Sequence, residues 1–150
     1  MKPILRWTSL ALFALLGAFF VWFGWVYATV EDFLWFHSPA VPEAARNDVR
    51  PIYFALMNLI GGSSAGLGLL GLWVTAAFLR RGDPKTALGL AVAYALPLVM
   101  AAVTAEELAK TGAPTSWHIM GAILAAAAIA VLTHVGSCLG ASTAPAGSNV

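Results

Sequence analysis

The residues of this chain that could carry chemistry are histidines and carboxylates in two polar segments. His37 lies in the first segment, and His118 lies one residue into the helix that follows the second. The carboxylates of the two segments are Glu31, Asp32, Glu43, Asp48, Glu106 and Glu107. Imidazole and carboxylate groups bind zinc, copper, iron or manganese, and at a membrane edge they can also transfer protons or bind a headgroup. No HxxxH or ExxH spacing occurs. Any site would therefore be assembled from separate loops, and a solvated acidic surface is the simpler interpretation.

Asn58 and His118 are polar residues on helix faces that otherwise carry small side chains. Helical spacing groups Asn58 with Gly61, Gly62, Ala65 and Gly68. It groups His118 with Gly121, Ala122, Ala125, Ala126 and Ile129. Polar groups are costly in hydrocarbon unless they are partnered, so both faces are predicted to point at protein. Structural hydrogen bonds are the simpler explanation of both residues. The candidate ligand-binding residues are Asn58, Glu106, Glu107, His118 and His37.

No cofactor follows from these residues. His134 lies about 24 Å from His118 along one helix, so the two cannot share a metal ion, and three histidines are too few for two haems with paired histidines. A quinone or lipid cleft stays open as an alternative to an aromatic interface belt, because four tryptophans lie toward the acidic side: Trp22, Trp25, Trp35 and Trp117. No pattern identifies a reaction, so whether the chain is an enzyme stays undecided.

The elements that must position these groups are membrane helices. Hydrophobic residues make up 60% and charged residues only 10% of the 150 residues, whereas about a quarter of an average soluble domain is charged. Four apolar runs could each cross a hydrocarbon core of about 30 Å, and they predict helices over about 7–30, 51–79, 86–105 and 117–135. The predicted fold class is all-α: an integral membrane four-helix bundle over 1–137, with a disordered tail over 138–150. A net charge of +1 without a basic patch argues against nucleic-acid binding.

The second apolar run is rich in glycine, which lets helix backbones approach closely in lipid. Gly62 and Gly66 form a small-xxx-small pair, and we expect this pair to pack against another helix. The short basic connection from Arg80 to Lys85 predicts that helices 2 and 3 are antiparallel neighbours. Pro97 predicts a kink near the middle of helix 3.

The distribution of Lys and Arg orients the predicted bundle. Five of them lie on the side of the N-terminus and three on the other side. This bias favours a multi-pass protein of the inner (plasma) membrane with both termini in the cytoplasm. The first run could be mistaken for a secretory signal, but its length and its bulky residues favour a retained helix. Cys138 is the only cysteine, so it cannot close an internal disulfide.

The overall layout consists of four helices in about 150 residues, a first helix with Arg6, Gly17 and Gly24, and a glycine-rich second helix. In this layout the chain resembles the small four-helix membrane proteins of the DoxX-like group. The resemblance implies the same architecture, and some members of that group are linked, usually as subunits, to quinone-coupled oxidation of sulfur compounds. It implies no site residue here, because nothing matches a catalytic pattern and Cys138 is poorly placed for sulfur chemistry.

Two functions follow as expectations. The first is a structural or accessory subunit of a larger membrane complex, which contacts lipid and either other membrane subunits or copies of itself through its Gly/Ala-rich faces. The alternative is a membrane-embedded binding or redox protein with a metal, quinone or lipid site at the acidic, non-cytoplasmic face. A small transporter is a weaker third interpretation, since no charged residue lies at the predicted membrane centre.

Overall fold

The computed structural model describes residues 2–139, and within that range it contains four α-helices: α1 (Lys2–Ala28), α2 (Arg46–Ala77), α3 (Pro84–Ala109) and α4 (His118–Leu139). These residues form no strand. All four helices are long and apolar enough to cross a membrane, so the predicted all-α architecture of four such helices is confirmed. α4 continues to Leu139, beyond its predicted end at 135, and the rest of the predicted tail lies outside the described residues.

The segment between α1 and α2 contains two short 3-10 turns, Ser38–Ala40 and Glu43–Ala45. The second turn leads directly into α2, so this helix begins at Arg46 and not at Pro51 as predicted. Pro51 is thus the sixth residue of α2, beyond the first turn whose N–H groups lack an intrahelical acceptor, so it removes one backbone hydrogen bond from the helix. Arg46 also donates a 2.9 Å hydrogen bond to Ser38 Oγ, which holds the segment against α2.

The turn between α2 and α3 is defined by a glycine and a side-chain cap. Gly82 has a φ of 81°, a left-handed conformation that favours glycine. The Asp83 carboxylate then accepts hydrogen bonds from the N–H groups of Lys85 (3.1 Å) and Thr86 (3.2 Å). It thereby satisfies donors that the first turn of α3 would otherwise leave free.

The helices do not pack in the predicted order. α1 packs against both α2 and α4, and α4 packs against α3, whereas α2 and α3 make few contacts. The prediction that helices 2 and 3 are packed neighbours is therefore wrong, although a short turn joins them. The main partner of α2 is α1, because glycines on both helices allow their backbones to meet.

The core of the bundle lies toward the end that carries the N-terminus. Phe13, Tyr94, Leu79 and Leu98 are buried there almost completely. α3 buries no residue after Leu98, and α4 buries none before Ala127. The bundle is consequently well packed near the α2–α3 turn and loosely packed near the α3–α4 turn.

Close backbone packing joins α1 to α2. A Cβ added to Gly24 would lie 2.5 Å from the Gly61 carbonyl oxygen, and one added to Gly68 would lie 2.6 Å from the Gly17 carbonyl oxygen. These distances leave no room for a side chain, so the glycines allow the two backbones to touch. The buried positions of α2 are 57, 61, 64, 68, 71 and 75, and this alternation of four-residue and three-residue steps is the seam of a helix pair.

Gly62 and Gly66 lie outside this interface. A Cβ added to either residue would meet nothing within 4 Å, and both residues are exposed. No helix of the described chain packs against this pair, so the predicted helix partner is not found within residues 2–139. The reason is register: Gly61 and Gly62 point about 100° apart on the helix, and Gly24 of α1 meets Gly61.

Candidate functional site

The five predicted site residues lie in three separate places. His37 belongs to the segment between α1 and α2, Glu106, Glu107 and His118 flank the turn between α3 and α4, and Asn58 lies on α2. No group of three or more His, Cys, Asp or Glu side chains that could hold a metal ion occurs within residues 2–139. In the described chain these residues therefore do not form one site.

His37 is half-buried, whereas the other four predicted residues are exposed. Its Nδ1 lies 3.0 Å from the Tyr53 hydroxyl, which accepts a hydrogen bond of 3.0 Å from the Leu34 N–H. The hydroxyl can then donate its single proton to Nδ1 of a neutral imidazole. Burial lowers the pKa of His37 from its ordinary value of 6.5, which favours the same neutral form. This pair fastens the segment to α2.

The two glutamates at the end of α3 have different partners. Glu106 Oε1 accepts a 3.1 Å hydrogen bond from the backbone N–H of Trp117, next to the first residue of α4. Glu107 forms a 2.6 Å ion pair with Lys110, and both side chains are exposed. Glu106 therefore orders the start of α4, and Glu107 contributes to a solvated surface, where ion pairs add little stability.

His118 is exposed at the first turn of α4. Its Nδ1 lies 2.7 Å from Ser116 Oγ, and its ring stacks on Trp117 with centroids 4.5 Å apart. The described residues form no ion pair between this imidazole and a glutamate. The prediction that its helix face points into the bundle is wrong, because the residues that α4 buries are Ala127, Ala130 and His134.

Asn58 lies with Gly62 and Gly66 on a surface that we call the outer α2 face. Its amide makes no hydrogen bond within residues 2–139, although the neighbouring Ser63 hydroxyl donates to the Leu59 carbonyl of its own helix at 2.8 Å. An amide needs partners for both its donor and its acceptor groups. Asn58 therefore faces away from the bundle, toward whatever surrounds α2.

An open apolar groove of about 420 Å³ runs between α1 and α4. It is lined by Leu12, Leu15, Leu16, Phe19, Ile119, Ala122, Ile123 and Ala126. None of these side chains could orient the polar head of a quinone or bind a metal ion. The four tryptophans of the acidic side are all exposed, as expected of an aromatic belt: Trp22, Trp25, Trp35 and Trp117.

Three fully buried polar side chains of the described bundle were not among the predicted site residues. Ser9, Tyr94 and His134 are fully enclosed. The Tyr94 hydroxyl and His134 Nε2 have no hydrogen-bond partner within the described chain. A signal for Ser9 does exist in the sequence, because it precedes Phe13 by four residues and so shares the inward face of α1.

The comparisons with other proteins add no family: the chain matches no protein-family model, no curated protein and no solved structure. The resemblance to DoxX-like proteins therefore stays a prediction. What the protein does has to be argued from its own contacts.

Proposed function

We propose that this protein is a structural or accessory subunit of the inner membrane, and that it associates through the outer α2 face with a helix of another membrane subunit or of a second copy. One observation carries the proposal. α1 packs against Gly61 and Gly68 on one face of α2, but a Cβ added to Gly62 or Gly66 would meet nothing within 4 Å among the described residues. The outer α2 face, which another helix could approach closely, thus has no helix packed on it in the described chain.

Association in lipid depends on close packing and on hydrogen bonds between helices. Gly62 and Gly66 present no side chain, so a second helix can approach the α2 backbone there. Asn58 lies one turn before Gly62, and its amide is both a donor and an acceptor. Without a partner this amide is costly at membrane depth, so an approaching helix that bonds it gains about 1 kcal/mol.

The test is the size of the assembly that the full chain forms in native membranes. The protein is extracted with its lipids by a polymer that forms nanodiscs, and its mass is measured for the wild type, Gly62→Leu and Gly89→Leu. Gly89 is the matched control, because it is also a glycine inside a membrane helix with nothing within 4 Å of an added Cβ. We expect Gly62→Leu alone to reduce the assembly to the single chain.

Two results would overturn the proposal. One is a wild-type protein that already has the mass of a single chain. The other is an equal assembly size in Gly62→Leu and the wild type. Equal melting temperatures of the two leucine variants would confirm that the loss concerns association and not folding.

The same proposal places both termini in the cytoplasm. Its support is the excess of Lys and Arg beside the α2–α3 turn and the start of α1, in short segments where such residues set orientation. A reporter fused after Val150 should be active only in the cytoplasm. Activity only in the periplasm would show that the orientation is the opposite of the proposed one.

The alternative function, a metal, quinone or lipid site at the acidic end, has less support. His37 is engaged with Tyr53, Glu106 with the main chain of Trp117, and His118 with Ser116. Each of these groups has a local partner, and no three His, Cys, Asp or Glu side chains within residues 2–139 come together in a group that could hold a metal ion.

A further inference from the structure

The end of the bundle at the α2–α3 turn carries more cationic than anionic side chains among the described residues. We call this surface the basic end, and its exposed cations are Arg6, Arg80, Arg81 and Lys85. The one described carboxylate of this end is Asp83, and it accepts the hydrogen bonds that cap α3. The two ion pairs within residues 2–139 both lie at the opposite end, so the described chain does not neutralise these four cations.

Contacts between helices hold the start of α1 beside the α2–α3 turn. Cys138, near the end of α4, donates a hydrogen bond of 3.0 Å to the Gly82 carbonyl. One helical turn earlier on α4, His134 Nδ1 lies 3.2 Å from Ser9 Oγ of α1. Arg6 precedes Ser9 by three residues, which places the two residues on neighbouring turns of the same helix face. The cation of α1 therefore belongs to the same end of the bundle as those of the turn.

The cations of the opposite end do have partners. Arg50 Nη1 lies 3.8 Å from the Asp32 carboxylate, and Lys110 Nζ lies 2.6 Å from the Glu107 carboxylate. The chain thus compensates positive charge where it has carboxylates, and it leaves the basic end to anions from outside the described residues. At a membrane surface those anions are lipid phosphates, and anionic lipids attract cations that lie beside membrane helices.

A row of exposed side chains leads from the basic end toward the apolar part of α2. The guanidinium carbon of Arg81 lies 5.4 Å from the centroid of the Phe78 ring, within the range of a cation–π contact. The Phe78 ring meets the Trp73 ring edge-on, with centroids 5.1 Å apart. Trp73 is 58% and Phe78 is 37% exposed, so the described chain leaves the row open. The row is cationic at one end and apolar at the other, whereas a phospholipid has an anionic phosphate above apolar chains.

We propose that the basic end binds a phospholipid of net negative charge, with its phosphate on Arg81 and the upper part of an acyl chain along Phe78 and Trp73. Arginine suits this position because its planar fork donates two hydrogen bonds to one phosphate. The other cations of the basic end add long-range attraction, which requires no fixed geometry. The lipid is therefore selected by charge at its headgroup and held by apolar contact at its chain.

The excess of positive charge determines which headgroup fits. A phosphatidylcholine headgroup carries its own ammonium group, which the cations beside Arg81 repel. A phosphatidylglycerol headgroup has the same phosphate and no cation. Asp83 is the one described carboxylate here that could attract an ammonium group, and its oxygens already accept hydrogen bonds from the first turn of α3. Salt should weaken the preference, since the screening length falls from about 10 Å at 0.1 M to about 3 Å at 1 M.

The test titrates the full chain, freed of lipid in a neutral detergent, with phosphatidylglycerol or phosphatidylcholine that carries the same pyrene-labelled acyl chain. Energy transfer from the tryptophans to pyrene reports binding. We expect the wild type to bind the anionic lipid at least about tenfold more tightly in 0.1 M salt and about equally in 1 M salt. Arg81→Gln should weaken binding of the anionic lipid about fivefold, the equivalent of about 1 kcal/mol for one cation near a membrane surface.

Arg50→Gln is the matched control. Arg50 also lies over a phenylalanine ring, 5.1 Å from the Phe54 centroid, but it is at the opposite end and is paired with Asp32. Its replacement should leave the preference for the anionic lipid unchanged. The comparison of the two lipids on the wild type needs no variant, so it decides the case even if Arg81→Gln does not fold.

Three results would overturn the proposal. The first is equal affinity of the wild type for the two lipids in 0.1 M salt. The second is an equal loss of affinity in Arg81→Gln and Arg50→Gln. The third is displacement of the anionic lipid by glycerol phosphate at the concentration of the lipid, because this would show a site for a bare anion to which the acyl chain contributes nothing.

Discussion

Replacing Gly24 by alanine should open the α1–α2 interface. The added Cβ would lie 2.5 Å from the Gly61 carbonyl oxygen and 2.8 Å from the Ala65 Cβ. Ordinary contact begins at 3.4 Å, so the helices must separate by about 1 Å, since backbone atoms cannot rotate away as a side chain can. A gap of 0.5–1 Å forfeits roughly a quarter to a half of each contact's attraction.

The expected cost follows from how much of the interface widens. Overpacking by a methyl group typically costs about 1–3 kcal/mol. The upper part of that range applies here, because Gly61 and Gly68 share the same interface and both depend on backbone contact. Gly89→Ala is the matched control: it makes the same chemical change inside a membrane helix, but its Cβ enters open space in the described chain and lies outside the proposed association face.

The assay is reversible unfolding in mixed detergent micelles, followed by far-UV circular dichroism. We expect Gly24→Ala to lower the free energy of unfolding by about 2–3 kcal/mol. Gly89→Ala should leave it unchanged or raise it by up to about 1 kcal/mol, because alanine is the better helix former. Equal stability of the two variants would refute the claim that Gly24 sets the helix separation.

Two further predictions concern buried polar groups. Tyr94→Phe should keep or raise the free energy of unfolding, by up to about 1 kcal/mol, because the buried hydroxyl has no partner in the described chain; a clear loss of stability in the same unfolding assay would reveal a hydrogen bond to this hydroxyl. The attachment of the 29–45 segment should weaken at acid pH, because burial lowers the pKa of His37 below its ordinary 6.5. The unfolded segment then binds the proton first, so this contribution to stability is complete above about pH 6.5 and is lost as the pH falls from there to the lower pKa of the folded state. Limited proteolysis of the segment across this range checks the prediction, and His37→Gln, which does not titrate, should show no such change.

The sequence by itself determined the architecture. Its apolar runs are too long and too free of charge for a soluble domain, and a chain in lipid must satisfy its backbone hydrogen bonds within each helix. Four helices therefore follow from composition and length. The Asp83-Pro84 pair likewise sets the start of α3 by a local mechanism, two residues before the predicted start at 86. Such features depend only on neighbours along the chain, so sequence reasoning can find them.

Only the tertiary structure decided which face of each helix is turned inward. In a soluble helix the inward face is the apolar one, but lipid is as apolar as the core, and this contrast is absent. Sequence alone therefore cannot distinguish whether Gly61 or Gly62 faces another helix of the chain. In the structure it is Gly61 that packs against α1. For the same reason His118 was expected inside and lies outside, whereas His134 is enclosed against Ser9. Shape complementarity between helices that are distant in the sequence determines which face of each helix is buried. No local sequence pattern predicts this complementarity.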